Sequence, residues 1–296
     1  MTQPPSNKIW HRSIARVKRW LLGGVPETPT SGSSPITRLP QELVDAIIYC
    51  FINDIQTLTA CSLTCRSWYI SAVPHLHHTL TTNDKKEERF RWPTPLQESY
   101  NLGLLPLVKT FRIRLQFTGT TFSPDRFCGR TLRYFSALRN VRTLGIDHFD
   151  ICAFMPDIQR YFGHFAPTVQ SLLLADPVGT PRQILYFIGL FPNLQDLRLV
   201  CDFNTKERES TTDDTDLIPL STPPLEGLLA LVHPGESFIK DMITLFTPRF
   251  RSLGLCKVKD VRLLLDACAE TLETLHLYPT DQYGESFFKG KQKKRN

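Results

Sequence analysis

Long hydrophobic runs are absent from this chain of 296 residues. No stretch approaches the roughly 18 consecutive apolar residues that a membrane-spanning helix needs. The first residues also lack the apolar segment and the small-residue cleavage site of a secretory signal, and no Asn-x-Ser/Thr glycosylation site occurs. These absences predict a protein of the cytoplasm, the nucleus or both, and they argue against a membrane partner.

Enzyme and metal motifs are missing as well. The chain has no phosphate-binding Gly-x-x-x-x-Gly-Lys-Ser/Thr loop, no dinucleotide-binding Gly-x-Gly-x-x-Gly, no Gly-x-Ser-x-Gly elbow and no His-Glu-x-x-His pair. Its eight cysteines form no Cys-x-x-Cys pair, and the histidines at 75, 77 and 78 have no partner group at zinc-finger spacing. We therefore expect reduced cysteines, no metal, no cofactor and no catalytic residue, so the protein is not predicted to be an enzyme.

An excess of basic over acidic residues is found only at the two ends of the chain. The net charge is +6, but residues 1–26 hold five basic residues and no acidic one, and residues 289–295 hold five more. Removing these ten from the total of 35 leaves 25 basic residues against 29 acidic ones. Because a nucleic-acid-binding domain concentrates Lys and Arg on its folded surface, this mildly acidic body predicts no nucleic-acid partner.

The basic N-terminal end has more than one interpretation. On a helix, residues 8–22 would gather their apolar side chains on one face: Trp10, Ile14, Val17 and Leu21. Such a helix can lie on an anionic membrane, act as a targeting presequence or dock on a partner. The alternative that we favour is a poorly ordered tail. The basic run at the other end of the chain is compatible with a nuclear localisation signal.

Composition divides the chain into five parts. A Pro/Ser/Thr/Gly run at 26–35 has too few apolar residues to fold, so it predicts a linker. Apolar spacing is helical just after it, whereas strand-like triplets alternate with helical stretches later in the chain. The predicted parts are a flexible basic segment at 1–35, a helical module at 36–80, a linker at 81–101, a strand-and-helix domain at 102–279 and a basic tail at 280–296.

The helical module has room for three short helices. Pro40 suits the first turn of a helix, and Leu43, Ile47 and Phe51 then recur every four residues as one apolar stripe. Asp54 follows as the N-cap of a second helix. Three helices in about 45 residues make a very small core, which leaves apolar side chains over for docking.

One series of residues in the module carries a family resemblance. It consists of Leu-Pro-x-Glu-Leu at 39–43, Ile47 and Ile48, Asp54, Leu58, and Cys-Ser-Leu-Thr-Cys-Arg-Ser-Trp at 61–68. In this order the residues resemble the F-box, which implies binding to a Skp-type adaptor and, through it, to the cullin scaffold of a ubiquitin ligase. Six residues match F-box positions that either pack the helices or meet the adaptor: Pro40, Leu43, Ile47, Leu63, Cys65 and Trp68. Their spacing leaves both roles open.

Seven triplets of the form apolar-x-x-apolar-x-apolar recur after residue 102. They are Val108/Phe111/Ile113, Val141/Leu144/Ile146, Val169/Leu172/Leu174, Leu194/Leu197/Leu199, Leu225/Leu228/Ala230, Phe250/Leu253/Leu255 and Leu272/Leu275/Leu277. They start 22 to 33 residues apart with helical stretches between them, in or slightly above the roughly 20 to 29 residues of a leucine-rich repeat. The predicted fold class is therefore α/β: a small three-helix F-box module followed by an irregular leucine-rich-repeat solenoid, with parallel strands in chain order. Another α/β domain of similar period is the alternative.

The predicted repeats depart from the standard unit at one position. None has Asn or Cys eight residues after its first apolar residue, where that side chain normally satisfies backbone groups of the turn. We therefore expect irregular turns whose backbone groups are satisfied in other ways.

Side chains between the apolar anchors are expected on the inner face of the solenoid, because alternate strand residues face opposite ways. In the fifth unit this rule places Leu229 on that face. The face mixes Arg, His and Tyr with small residues, which suits a protein target better than a phosphate backbone. Six residues are predicted to contact a target: Arg112, Arg114, Asp147, Arg198, His276 and Tyr278. The charged segment at 202–216 predicts a mobile loop at the rim of the same face.

These features together predict a non-catalytic receptor. The F-box would bind the adaptor, and the repeats would hold an unknown target protein for ubiquitination. One alternative is a repeat scaffold that binds the adaptor without presenting a substrate. Another is a membrane-associated protein that uses the basic N-terminal helix.

Overall fold

The computed structural model describes most of the chain between residues 39 and 278. The described ranges are 39–83, 94–114, 134–200, 217–256 and 261–278. The predicted basic helix at 8–22, the predicted loop at 202–216 and the tail at 280–296 lie outside the described residues.

Three short helices form the predicted helical module. They are α1 (Gln41–Cys50), α2 (Ile55–Ser62) and α3 (Arg66–Leu76). Both α1 and α2 pack against α3. The bundle has its own small core, which consists of the buried residues Val44, Ile48, Leu58, Cys61 and Ala72.

The starts of α1 and α2 have different local causes. Pro40 is the residue just before α1, and its extended backbone (ψ 145°) sets the chain direction into the helix. Asp54 caps α2, since its side chain accepts hydrogen bonds from the N–H of Gln56 at 3.1 Å and from the N–H of Thr57 at 3.0 Å. The predicted N-cap at Asp54 is therefore confirmed.

A polar network ties α1 to α3 beside the bundle core. Ser67 donates to Gln41 Oε1 at 2.6 Å, and Gln41 Nε2 donates to Ser71 Oγ at 2.6 Å. Asp45 also accepts a hydrogen bond from Ser71. The hydrogen bonds from Ser71 and then Gln41 hold the pKa of the Asp45 carboxyl below its ordinary value.

The rest of the described chain is built on one parallel sheet. Its strands are β1 (Thr79–Asn83), β2 (Thr110–Arg114), β3 (Thr143–Asp147), β4 (Ser171–Ala175), β5 (Asp196–Val200), β6 (Leu228–Val232), β7 (Ser252–Cys256) and β8 (Thr274–Tyr278). They lie side by side in chain order, and every neighbouring pair is parallel. The prediction of parallel strands in chain order is confirmed.

Helices alternate with these strands. They are α4 (Thr94–Asn101), α5 (Ile151–Phe154), α6 (Ile158–Phe162), α7 (Pro181–Ile188), α8 (Glu236–Phe246) and α9 (Val261–Cys268), with single 3₁₀ turns at Leu105–Leu107, Met155–Asp157 and Ala166–Thr168. Alternate strand residues such as Phe111 and Leu172 join helix residues such as Ile184 and Phe238 in one continuous core. The chain is thus an α/β fold with the helices against one sheet face. We call the other face, whose side chains point away from this core, the distal face.

Strand β1 and helix α4 were not predicted, because their sequences carry few apolar residues. In Thr79–Asn83 only Leu80 is apolar, yet Leu80 and Leu96 of α4 are both buried in the main core. The boundary predicted at residue 80 falls inside β1, and the predicted linker at 81–101 contains α4.

The fifth predicted triplet is out of register by one residue. Leu229 and Leu231 face the core, pairing with Leu197 and Leu199 of β5, whereas Ala230 lies on the distal face. The predictions that Leu228 and Ala230 anchor the core and that Leu229 lies on the inner face of the solenoid, away from the helices, are therefore wrong. The physical reason is one extra residue before the strand. Leu225 adopts a left-handed backbone (φ 43°). The N–H of Leu228 donates to the Asp196 side chain at 2.7 Å.

Turns between the units are irregular, as expected, and two devices satisfy their backbone groups. The residues directly after β3, β4 and β6 adopt left-handed backbone, which His and Asp tolerate better than most residues: His148, Asp176 and His233. The N–H of His148 thereby reaches the carbonyl of Ala175 at 2.7 Å. Before the strands, Asn140 and Asn193 donate to the carbonyls of the preceding units at 2.7 Å each.

Candidate functional site

Exposed apolar side chains are concentrated on the helical bundle. Of the twelve large hydrophobic residues that are exposed in the described structure, six lie between residues 43 and 70: Leu43, Tyr49, Phe51, Ile55, Leu63 and Ile70. Such exposure in so short a segment marks a surface that is available for a partner.

The bundle separates two sets of apolar residues on α1. Val44 and Ile48 are buried in its core, whereas Leu43 is 52% exposed and Ile47 is only half-buried. The stripe of Leu43, Ile47 and Phe51 that the sequence predicts therefore lies mostly on the surface and does not close the core. Its residues recur every four positions, so they share one side of the helix.

The six predicted adaptor-binding residues fall into two groups. Pro40, Leu43 and Leu63 are exposed, with 41% of Leu63 accessible. Ile47, Cys65 and Trp68 are half-buried, and Trp68 packs against the bundle core. The indole N–H of Trp68 is buried without a hydrogen-bond partner among the described residues. The exposed group can meet a partner directly, whereas Trp68 contributes to the bundle itself.

The bundle continues directly into the sheet. Helix α3 ends at Leu76 and β1 begins at Thr79, and the carbonyl of His78 accepts the N–H groups of Lys109 and Thr110 at 2.8 Å each. His77 lies in this junction, and burial lowers its pKa to about 4. A neutral imidazole is therefore built into the connection between the two parts.

The distal face presents three rows of side chains across the strands. Its middle row consists of Thr81, Arg112, Gly145, Leu173, Arg198, Ala230, Gly254 and His276. All six predicted target-binding residues lie on this face, two of them on β2 and two on β8. The structure brings Arg114 and Asp147 together, with Arg114 Nε 2.8 Å from Asp147 Oδ2. His276 and Tyr278 stack on each other, with ring centroids 6.1 Å apart.

Those six residues do not form one cluster. Strand β2 is six strands away from β8, about 29 Å at the usual strand separation. His276 and Tyr278 therefore belong to the far edge of the sheet. Arg112 and Arg198 lie in the same row and are separated by only three strand steps.

Arg112 and Arg198 are the least satisfied polar groups of the distal face. The Nε atom of each is buried without a hydrogen-bond partner in the described part of the chain. The stem of Arg112 lies flat over Gly145: a Cβ atom built on that glycine would sit 3.2 Å from Arg112 Cγ. Sequence patterns predicted that these arginines lie on the sheet face away from the helices, but only the contacts reveal that they lack partners.

Small and apolar residues surround Arg198 on the same face. Leu173 and Ala175 of the preceding strand are each 7% exposed, and Ala230 of the next strand is 3% exposed. A guanidinium group in this setting is less well hydrated than on an open surface, which strengthens its attraction for an anion.

A polar groove of about 320 Å³ lies at the start of strands β3 to β5. Its lining includes Asn140, Arg142, Thr168 and Asn193. Asn140, Thr168 and Asn193 already bond to backbone carbonyls of neighbouring units. We interpret the groove as part of the structural connection between units.

The described residues contain no group of three or more His, Cys, Asp or Glu side chains placed to hold a metal ion. Within the same residues, no helix is long and apolar enough to cross a membrane. Comparison with known proteins gave no matching family model, no matching curated protein and no matching solved structure.

Proposed function

We propose that this protein is the substrate-recognition subunit of a Skp-cullin-F-box ubiquitin ligase. In this proposal α1 to α3 form the F-box and bind the adaptor, and the strand-and-helix domain is a leucine-rich-repeat solenoid that holds a target protein. The observation that carries it is the apolar surface left on a bundle whose core is already complete without Leu43 and Leu63. A surface of this kind suits a permanent partner, because exposed Leu side chains gain from burial.

The direct connection of the bundle to the sheet supports the second part of the proposal. A target bound to the distal face would be held at a fixed distance from an adaptor bound to the bundle, since the junction at His78 is hydrogen-bonded to β2. Such positioning raises the local concentration of target lysines near the ubiquitin-transferring enzyme. No catalytic group on this chain is required.

The proposal is tested by protein turnover in cells. Wild type is compared with a double variant, Leu43→Asp with Leu63→Asp, and with the control Ile218→Asp, which alters an exposed apolar residue of the sheet domain (74% accessible). We expect the double variant to lose the adaptor and the cullin and a defined set of proteins to accumulate with longer half-lives. The control should behave as wild type.

Two outcomes contradict the proposal. If the double variant recovers the adaptor as efficiently as wild type, the bundle does not bind it through these residues. If adaptor binding is lost and no protein changes its half-life, the chain is an adaptor-binding scaffold that presents no substrate.

A further inference from the structure

Two positive charges on the distal face have no partner within the described fold. Neither Arg112 nor Arg198 takes part in an ion pair between described residues, and both Nε atoms are buried and unbonded. The two carboxylates of the neighbouring rows are already engaged. Asp147 pairs with Arg114, and Asp196 accepts the backbone N–H of Leu228. An incoming anion would therefore meet two guanidinium groups without displacing an internal partner.

The distance between the two arginines defines the ligand. They are three strands apart in one row, about 14 Å between Cα atoms. An extended peptide advances about 3.3 Å per residue and places every second side chain on the same side, so its residues i and i+4 are about 13 Å apart. The side chain at i+2 would then lie midway, between Gly145 and Leu173.

The surroundings favour a peptide over a nucleic acid. The position midway between the arginines is bordered by the buried side chain of Leu173, and Ala230 follows beyond Arg198. These side chains offer no hydrogen bond to the sugar-phosphate backbone of a nucleic acid. The mildly acidic body of the chain also lacks the broad basic surface of nucleic-acid-binding domains.

From these observations we infer that the middle row of the distal face binds an extended acidic segment of a partner protein. The segment carries two acidic side chains four positions apart with an aliphatic residue midway between them. Arg112 binds one acidic group and Arg198 binds the other, and the aliphatic side chain lies over the apolar part of the face around Leu173. This inference rests on the proposed function, because it specifies the class of target that the receptor holds.

Gly145 positions Arg112 for this role. The missing side chain at Gly145 lets the arginine stem lie over β3. A larger side chain there would push the stem away, because its Cβ would sit 3.2 Å from Arg112 Cγ. Val is also well suited to a strand. Gly145→Val is therefore expected to weaken peptide binding, and circular dichroism checks that the variant is folded.

The test uses the full chain without adaptor and a fluorescent probe peptide with the core Glu-Ala-Val-Ala-Glu between Gly/Ser flanks. Binding is followed by fluorescence polarisation. Arg112→Gln and Arg198→Gln should each weaken binding by about tenfold, since each removes a charge-assisted hydrogen bond. A peptide with Gln in place of both Glu residues should bind wild type at least as weakly as the Glu peptide binds a variant that combines Arg112→Gln with Arg198→Gln. The matched control is Arg142→Gln with Arg251→Gln, which removes two exposed arginines outside the row.

Several results would overturn the inference. These are no binding of the acidic peptide at millimolar concentration, equal binding of the Gln peptide, or an equal loss in the control variant. Tighter binding of oligo-dT through the same two arginines would show that the face recognises nucleic acid. Adaptor binding by wild type is measured in parallel: if it persists while the peptide fails, the inference fails and the proposed adaptor role stands.

Discussion

Two apolar residues of helix α1 should differ in how strongly their truncation lowers the free energy of unfolding. Ile48 is fully buried in the bundle core, whereas Leu43 is 52% exposed. Changing a buried Ile to Ala lowers the free energy of unfolding by about 2 to 5 kcal/mol, because apolar burial is lost and a cavity is left. The bundle is small and can partly collapse around the cavity, so we expect Ile48→Ala to lower the free energy of unfolding by about 2 to 3 kcal/mol.

Leu43→Ala should change the free energy of unfolding of the bundle by less than about 0.5 kcal/mol, because most of its side chain is already in water. A difference of about 2 kcal/mol between the two variants corresponds to roughly a 30-fold difference in the folding equilibrium. Such a difference is readily measured.

The assay needs a signal from the bundle alone, because the sheet domain can unfold separately. Trp68 packs against the bundle core and provides this signal. Changing the tryptophans at 10, 20 and 92 to Phe leaves Trp68 as the only one of four. Urea unfolding is then followed by its fluorescence. Equal destabilisation by Leu43→Ala and Ile48→Ala would refute the assignment of Leu43 to the surface.

Three further predictions concern stability. Asp54→Ala should cost the bundle about 1 kcal/mol in urea unfolding, through loss of the N-cap of α2, and Asp54→Asn should restore most of it. The free energy of unfolding should fall as the pH drops from about 6.5 to about 4, because the unfolded chain protonates His77 at a higher pH than the folded chain does. This loss, up to about 3 kcal/mol, should shrink in His77→Gln. Gly227→Ala should lower the melting temperature, because its Cβ would lie 2.1 Å from the Asp196 carboxylate that holds β6; an unchanged value would contradict the described register.

Much of the sheet could be predicted because its signal is repeated. Strands β2 to β7 each contribute two apolar residues to one core, so an error in a single unit does not disturb the others. At the edge strand β8 the predicted anchors Leu275 and Leu277 are instead 40% and 61% exposed. The exceptions have local causes. Leu80 is the only apolar residue of β1, and the extra residue at Leu225 is visible only from its left-handed backbone.

The candidate sites were predictable in outline. Alternation along β2 and β5 placed Arg112 and Arg198 on the correct face, because the side-chain period of a strand is fixed. Sequence alone could not show that Val44 is buried while Leu43 is exposed, since helical spacing permits either residue to face the core. It also could not show that Arg114 has a carboxylate partner while Arg112 has none, because that depends on strand pairing between distant segments.

The most direct test of the account is a titration of the purified full chain with a Skp-type adaptor. The account predicts saturable one-to-one binding by wild type and by Ile218→Asp. It also predicts a loss of at least about a hundredfold in affinity for Leu43→Asp combined with Leu63→Asp, because each substitution places a charge in an apolar contact. Circular dichroism should show that the double variant remains folded. Binding by the folded double variant that equals that of wild type, or no binding by wild type, would contradict the central claim.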